Sequence, residues 1–335
     1  MTSGKKVPTI YDVAQLSGVS ISTISRVLNN PDKVRLSTRI RVVEAIDELG
    51  FVPKAEARAH ALQQTNRIGV ITPFFTAPAF VQRLRGVASA LSPANYELVI
   101  FTIDSIERLH GYLASLPLTR NLDGLIVISA QVEQSEATRL VEHGLQTVLI
   151  EYPHPQLNSV EINDFEGGRM VAEYLLHKGH RRIAFVGDTD MPEFGIDPIN
   201  LRLGGFRQGL LDAGMRLPQE LVHLVRYSQG QMQYRAGELL RQAKPPTAIF
   251  AATDFQAMAV IKIAKQIGMK IPDDLAVIGF DDLDLADYVD LTTVSQHLDE
   301  SGSVAVEILL DSIEEPSQPP QHVTLPLSII ERTTA

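Results

Sequence analysis

The 335 residues include no cysteine. Disulfides and thiolate metal sites are excluded, and the composition fits a cytoplasmic chain. No stretch approaches the roughly 18 consecutive apolar residues that a membrane-spanning helix needs. The opening MTSGKKVPTIYDV has two lysines but no apolar h-region, which argues against secretion. H-E-x-x-H, G-x-S-x-G, the P-loop and G-x-G-x-x-G are all missing, so the residues offer no catalytic apparatus and no cofactor is expected. The nine histidines are scattered; His177 and His180 flank Lys178 and Gly179 at a helix end, where they suit the helix dipole better than a metal. The acidic run Asp281, Asp282, Asp284, Asp287 and Asp290 lacks the loop glycine of an EF-hand, so no metal site is expected there either. There is no usable internal repeat.

What is present is ample material for a core, with 44% hydrophobic residues, in a chain long enough for about two or three compact units. The net charge of −10 is unevenly divided. Residues 1–64 hold nine Lys/Arg against six Asp/Glu, or +3, leaving −13 on the remainder. A small cationic module on an acidic body is the pattern of a protein that touches nucleic acid with one end only.

The cationic end contains TIYDVAQLSGVSISTISRVLN, Thr9 to Asn29. Thr9 and Asp12 spell a capping-box variant, with the threonine hydroxyl expected to take a free helix N–H. Val13, Ala14 and Leu16 are expected inward. Gly18 supplies a left-handed turn, and Ser20 caps a second helix. On that helix Ile24, Val27 and Leu28 form the buried stripe. The opposite face carries Ser22, Ser25, Arg26 and Asn29, flanked by Ile21 and Thr23. Short donors and acceptors with one arginine suit a helix lying in a DNA major groove. A third helix is expected over about 38–49, with Ile40, Val43, Ile46 and Leu49 inward and Ser37 as its cap.

Beyond residue 67 apolar runs at 68–71, 98–101, 125–128, 148–150, 183–186, 248–252 and 276–280 read as buried parallel strands. Helical stretches at 166–178, 201–213, 234–242 and 255–267 alternate with them. Alternation of this kind predicts doubly wound α/β sheets. Ligands of such sheets sit beyond the carboxyl ends of the strands. The residues there are Phe74, Phe75, Glu151, Tyr152, Asn163, Asp188, Tyr227, Thr253, Asp254, Asp281 and Asp282, with Arg202 at the start of a helix. Rings, carboxylates, an amide and a guanidinium suit a polyhydroxylated small molecule.

The run from Thr9 to Asn29, then Thr38-Arg39, then Leu49-Gly50-Phe51-Val52-Pro53, closely resembles the headpiece of the lactose-repressor (LacI/GalR) family, and the likeness continues from Thr65 to the last strand. It implies an all-α helix-turn-helix headpiece (1–53), a hinge (54–66) and a periplasmic-binding-protein-like core (67–335) of two doubly wound parallel-sheet subdomains. The first subdomain would hold about 67–163 plus 298–313, the second about 164–293 plus the C-terminal strands. DNA contacts carried over are Thr9, Ser20, Ile21, Ser22, Thr23, Ser25, Arg26 and Asn29. In the family a leucine wedge enters the minor groove seven residues after the proline; here that position is His60, with Leu62 two further on, so that either does the prying or the kink is smaller. Effector-binding candidates are Phe74, Phe75, Glu151, Asn163, Arg202, Tyr227, Thr253 and Asp281. At Asn163 the family more often has an acid, and at Thr253 an asparagine. The implied function is a homodimeric, sequence-specific regulator, a repressor of carbohydrate-utilisation genes controlled by a sugar-like effector and bound to double-stranded operator DNA. A corepressor-dependent regulator or activator with a purine effector remains open, and more distantly a sugar-binding protein without DNA function.

Overall fold

The computed structural model describes residues 8–29, 34–49, 51, 65–189, 194–225 and 229–335. The chain divides into two units, 1–64 and 65–335.

In the first unit α1 (Ile10–Ser17), α2 (Ile21–Asn29) and α3 (Leu36–Leu49) surround a small core of Val13, Ile24, Val27, Val42 and Ala45. Gly18 turns the chain at φ +66°, and the Ser20 hydroxyl accepts the Thr23 N–H at 3.2 Å. The expected capping box forms at the start of α1, where the Asp12 carboxylate also accepts both the backbone N–H and the hydroxyl of Thr9, at 2.7 and 2.6 Å. The details differ from expectation in two places. Leu16, Ile40 and Val43 are exposed, and α3 turns Val42 and Ala45 inward instead. Apolar residues occupy two sides of α3, and packing against α1 turns Val42 and Ala45 inward with Ile46 and Leu49 beside them, in place of Ile40 and Val43. That helix also starts earlier: the Arg35 carbonyl accepts the Thr38 and Arg39 amides, placing Ser37 inside the first turn.

The second unit contains two six-stranded sheets. The first holds β1 (Arg67–Thr72), β2 (Glu97–Thr102), β3 (Gly124–Ile128), β4 (Gln146–Ile150), β5 (Asn158–Glu161) and β11 (His322–Thr324), in the order β11-β5-β4-β3-β1-β2, all parallel. The second holds β6 (Ile183–Asp188), β7 (Val222–Val225), β8 (Ala248–Ala251), β9 (Ala276–Asp281), β10 (Thr292–Ser295) and β12 (Ser328–Ile330), in the order β12-β10-β9-β8-β6-β7. Among the described residues only β12 runs antiparallel to its neighbour. Each C-terminal strand joins a different sheet, whereas both were expected in the second subdomain. The chain therefore crosses between sheets three times, after β5, after β10 and between β11 and β12.

Helices cover both faces of each sheet: α4 (Pro78–Leu91), α5 (Ile106–Thr119), α6 (Gln134–Glu142) and the returning α12 (Leu298–Glu314) on the first, and α7 (Asp164–His177), α8 (Pro198–Asp212), α9 (Gln229–Leu240), α10 (Asp254–Gln266) and the short α11 (Asp284–Tyr288) on or beside the second. Two helix pairs approach backbone to backbone. A Cβ at Gly205 of α8 would lie 1.7 Å from the Phe165 carbonyl oxygen on α7, and one at Gly86 of α4 would lie 1.9 Å from the Asp299 carbonyl oxygen on α12.

A Gly205→Ala variant should therefore lose roughly 3 kcal/mol through overpacking, lowering Tm by about 5–10 °C. Gly204→Ala, whose added carbon meets only the Phe165 ring at 3.5 Å, should melt at or slightly above the parent. Thermal melting of the two variants checks the pair.

Candidate functional site

On the headpiece, Ser20, Ile21, Ser22 and Arg26 are exposed, Thr23 and Ser25 are half-buried, and Thr9 stands exposed at the mouth of α1. Ser20 sits within 2.8 Å of the Ser22 hydroxyl and 2.9 Å of the Thr23 hydroxyl, so its side chain acts first as the cap that fixes the start of α2. Asn29 closes α2, but its side chain lies outside the described residues, as do His60 and Leu62. Tyr11, 71% exposed on the first turn of α1, escaped the sequence reading. Its position off the apolar stripe of that helix was the available signal.

In the second unit the residues leaving the strands share an unusual backbone. Phe74 after β1 (φ +45°), Ser129 after β3 (+54°), Glu151 after β4 (+77°) and Asp281 and Asp282 at the end of β9 (+132° and +56°) all have positive φ without being glycine. Such conformations persist only where surroundings over-determine them, and they gather at ligand sites. Here they mark the carboxyl ends of strands in both sheets.

Two charged clusters occupy this region. In the first subdomain Glu151 accepts from Arg83 Nη2 at 2.6 Å and from the Ser129 hydroxyl, while Arg83 Nε also donates to Ser301 Oγ at 3.0 Å. In the second, Arg202 is 3% exposed and surrounded. Its Nε donates to Asp164 Oδ1 at 2.7 Å and its Nη1 to the Ala252 carbonyl at 2.6 Å. Its guanidinium carbon lies 3.7 Å from the centre of the Phe280 ring, and Asp281 Oδ1 is 3.7 Å from Nη1. Asp281 also accepts from the Gln296 amide. Burial pushes the Asp164 and Asp281 carboxyls upward, and Arg202 pulls each back. Glu151 bears on Asp164, and Arg83 on both aspartates, so charges of the first subdomain are felt by those of the second.

Asn163 and Thr253 play a different part. Each is a helix cap: Asn163 Oδ1 accepts the Glu166 N–H at 3.0 Å, and Thr253 Oγ1 accepts that of Gln256 at 3.3 Å. Asn163 is solvent-exposed. The buried neighbours are the next residues in sequence, Asp164 and Asp254. The Asp254 carboxylate accepts the Leu283 N–H at 2.8 Å and the Thr293 hydroxyl. Phe74 and Phe75 remain about half exposed, Phe74 edge-on to Phe80. Tyr227 lies outside the described residues. Two side-chain oxygens in this region, Gln256 Oε1 and Gln296 Oε1, are buried without a hydrogen-bond partner among the described residues. Gln256 uses its amide nitrogen on Asp188 at 2.8 Å.

A loop of the second subdomain closes on the first. Gly195 forms an antiparallel bridge with Ala130, the Phe194 carbonyl accepts the Gln131 N–H at 3.0 Å, and the Phe194 ring is buried in the hydrophobic cluster of Leu109, Leu113, Leu125 and Val127.

A three-helix DNA-reading unit followed by two parallel sheets joined by crossovers defines a regulator with a binding-protein core. The pattern of the bacterial regulatory proteins of the lacI family matches residues 9–54, and that of the periplasmic binding protein-like domain matches residues 172–335. HTH-type transcriptional regulator CelR of Thermobifida fusca is 32% identical over 98% of this chain and 98% of its own length. The ribose operon repressor of Escherichia coli (strain K12) is 32% identical over 98% and 99%. The solved transcriptional regulator CelR–cellobiose complex superposes with a TM-score of 0.69 at 29% identity, covering 98% of this chain and all of that one. The chain belongs to the LacI family of DNA-binding transcriptional regulators. Among the described residues no helix is long and apolar enough to cross a membrane.

Burial raises the Asp254 carboxyl to about 6, against the pull of the Thr293 hydroxyl and the Leu283 N–H. The folded chain thus holds this proton more tightly than the unfolded chain does. The stabilising contribution is complete below about pH 4 and is lost as pH rises through about 6. Asp254→Asn keeps one acceptor for Leu283 and does not ionise. Its Tm relative to the parent should climb between pH 5 and pH 7.5, a trend that paired melting curves would reveal; a flat difference would mean that Asp254 does not titrate there.

Proposed function

We propose that this regulator is a cytoplasmic, homodimeric repressor of carbohydrate-utilisation genes, without enzymatic activity, and that a small sugar binds between its two subdomains. The observation that carries this reading is the Arg202–Asp281 cluster at the end of β9, within electrostatic reach of the Arg83–Glu151 pair of the other subdomain. Carboxylates accept hydroxyl protons, guanidinium groups donate to sugar oxygens, and half-exposed Phe74 and Phe75 offer apolar faces for C–H surfaces. The relatives add a bound cellobiose in one solved complex and a ribose operon in the name of another repressor.

The switch follows from linkage. Two headpieces would each lay α2 in a major groove of a pseudo-palindromic operator. A ligand that prefers one closure of the two subdomains changes the population that holds the headpieces at operator spacing, and DNA binding shifts in proportion to that preference. Arg26, the exposed cation of α2, is assigned to the duplex, with Ser22 and Ile21 beside it on the reading face.

Mobility shifts with a palindromic operator, titrated with ribose and with cellobiose, test the reading. DNA affinity should fall as salt rises, Arg26→Ala should weaken operator binding by about tenfold, and at least one sugar should move the affinity by about fivefold or more. The sign of that change separates inducer from corepressor. Asp281→Asn, which exchanges one acceptor oxygen for a donor, should bind operator normally and lose the sugar response. An operator affinity that neither sugar moves by as much as twofold would defeat the proposed effector class.

A further inference from the structure

The turn that carries Asp281 is held from both subdomains. Within its own, Leu283 N–H is tied to Asp254, and Arg332 Nη2 donates to Asp282 Oδ1 at 3.0 Å. The other grip comes from α4 of the first subdomain. Gln82 spans the turn with both ends of its amide: Nε2 donates to the Asp282 carbonyl at 3.4 Å, and Oε1 accepts the Asp284 N–H at 3.3 Å. One helical turn on, Arg85 forks between two carboxylates. Its Nη atoms donate to Asp284, and its Nε and Nη2 donate to Asp299 at 2.6 and 2.7 Å. Asp299 belongs to α12, which packs directly on α4 at Gly86, so Arg85 is anchored on its own side before it reaches across.

Asp281 and Asp282 sit in backbone conformations that L-residues adopt only when neighbours enforce them. Part of that enforcement is therefore supplied by the opposite subdomain. We propose that Gln82 and Arg85 are positioning residues for effector binding: by gripping residues 282–284 they set the Asp281 carboxylate, so that the cleft holds its ligand tightly only while this clasp is made. The inference rests on the reading of Asp281 as an effector contact. Gln82 and Arg85 need not touch the ligand at all.

The clasp has a chemical signature that a purely local site lacks. Arg85, Asp284 and Asp299 are substantially exposed, and exposed ion pairs are weak and screened by salt. The affinity for an uncharged sugar should then depend on ionic strength, because salt loosens the clasp and not the sugar contact. A device that opens at small cost also suits a switch, which must visit both states.

Calorimetric titration of the full chain with ribose and with cellobiose, at 50 and 500 mM NaCl, tests this. The parent should bind about threefold more weakly at high salt. Arg85→Gln and Asp284→Asn should each bind about fivefold more weakly at low salt and lose the salt dependence. The double variant should be no worse than either single one, since both remove the same link. Gln82→Ala should weaken binding similarly while retaining a salt response. Parent-like affinity and parent-like salt dependence in Arg85→Gln and Asp284→Asn would overturn the proposal. If Asp281→Asn binds as the parent does, it is the reading of the site that has failed. Where neither sugar binds the parent, hydrogen exchange decides: the Asp284 amide should exchange about tenfold faster in Gln82→Ala, which removes its acceptor, and unchanged protection would overturn the clasp.

Discussion

A guanidinium withdrawn almost wholly from water must find its solvation in the protein, and Arg202 is such a group. Asp164 at the start of α7, the Ala252 carbonyl at the end of β8 and the Phe280 ring of β9 each supply part of it. Three elements of the second subdomain are thereby fixed to one cation. Asp281 is drawn into the same field, although its separation from Nη1 is long for a direct bond. Asp164 takes a direct bond from the guanidinium, whereas Asp281 takes its bond from the Gln296 amide and feels Arg202 only as a nearby charge.

The two subdomains are tied to each other by unlike means. The Phe194 ring and the bridge at Gly195 make an apolar contact with a backbone register, distant in sequence from the crossovers. The α4 clasp is ionic and exposed. Apolar burial resists salt, whereas screened ion pairs do not. Closure is therefore not one interaction but a pair whose balance shifts with conditions. Both ties end on turns at the carboxyl edges of the sheets, where the Arg83–Glu151 and Arg202–Asp281 charges also lie.

Much of this was legible in the sequence. Alternation of apolar runs with helical stretches gave the doubly wound sheets, and the headpiece motif stood out as a unit. The short strands β5, β7 and β10 escaped because four residues carry too little pattern, and because half-polar runs such as TTVS owe their burial to neighbours. Arg202 came from its place in a helix, whereas the strand-end rule selected Glu151 and Asp281, which the structure places in charged clusters at the ends of β4 and β9. It also selected Asn163 and Thr253, whose side chains fold back onto helix amides, while the following residues, Asp164 and Asp254, turn inward. A capping residue and its successor differ in direction, and a single sequence does not reveal which one a ligand would meet. Arg83 was out of reach for another reason. In mid-helix an arginine reads as surface, and only the Glu151 carboxylate brought to it by a different strand explains its burial.

The split of the C-terminal strands bears on how the chain comes into being. Residues 322–324 complete one edge of the first sheet, and residues 328–330 one edge of the second. The first sheet also waits for α12, which covers β3, β4 and β5 from a position more than 130 residues later in the chain. During synthesis the headpiece emerges with all three of its helices and so can mature early. Neither half of the core can, because each needs its last strand from the same late segment. A translating ribosome would thus expose a DNA-binding module well before the machinery that controls it is assembled.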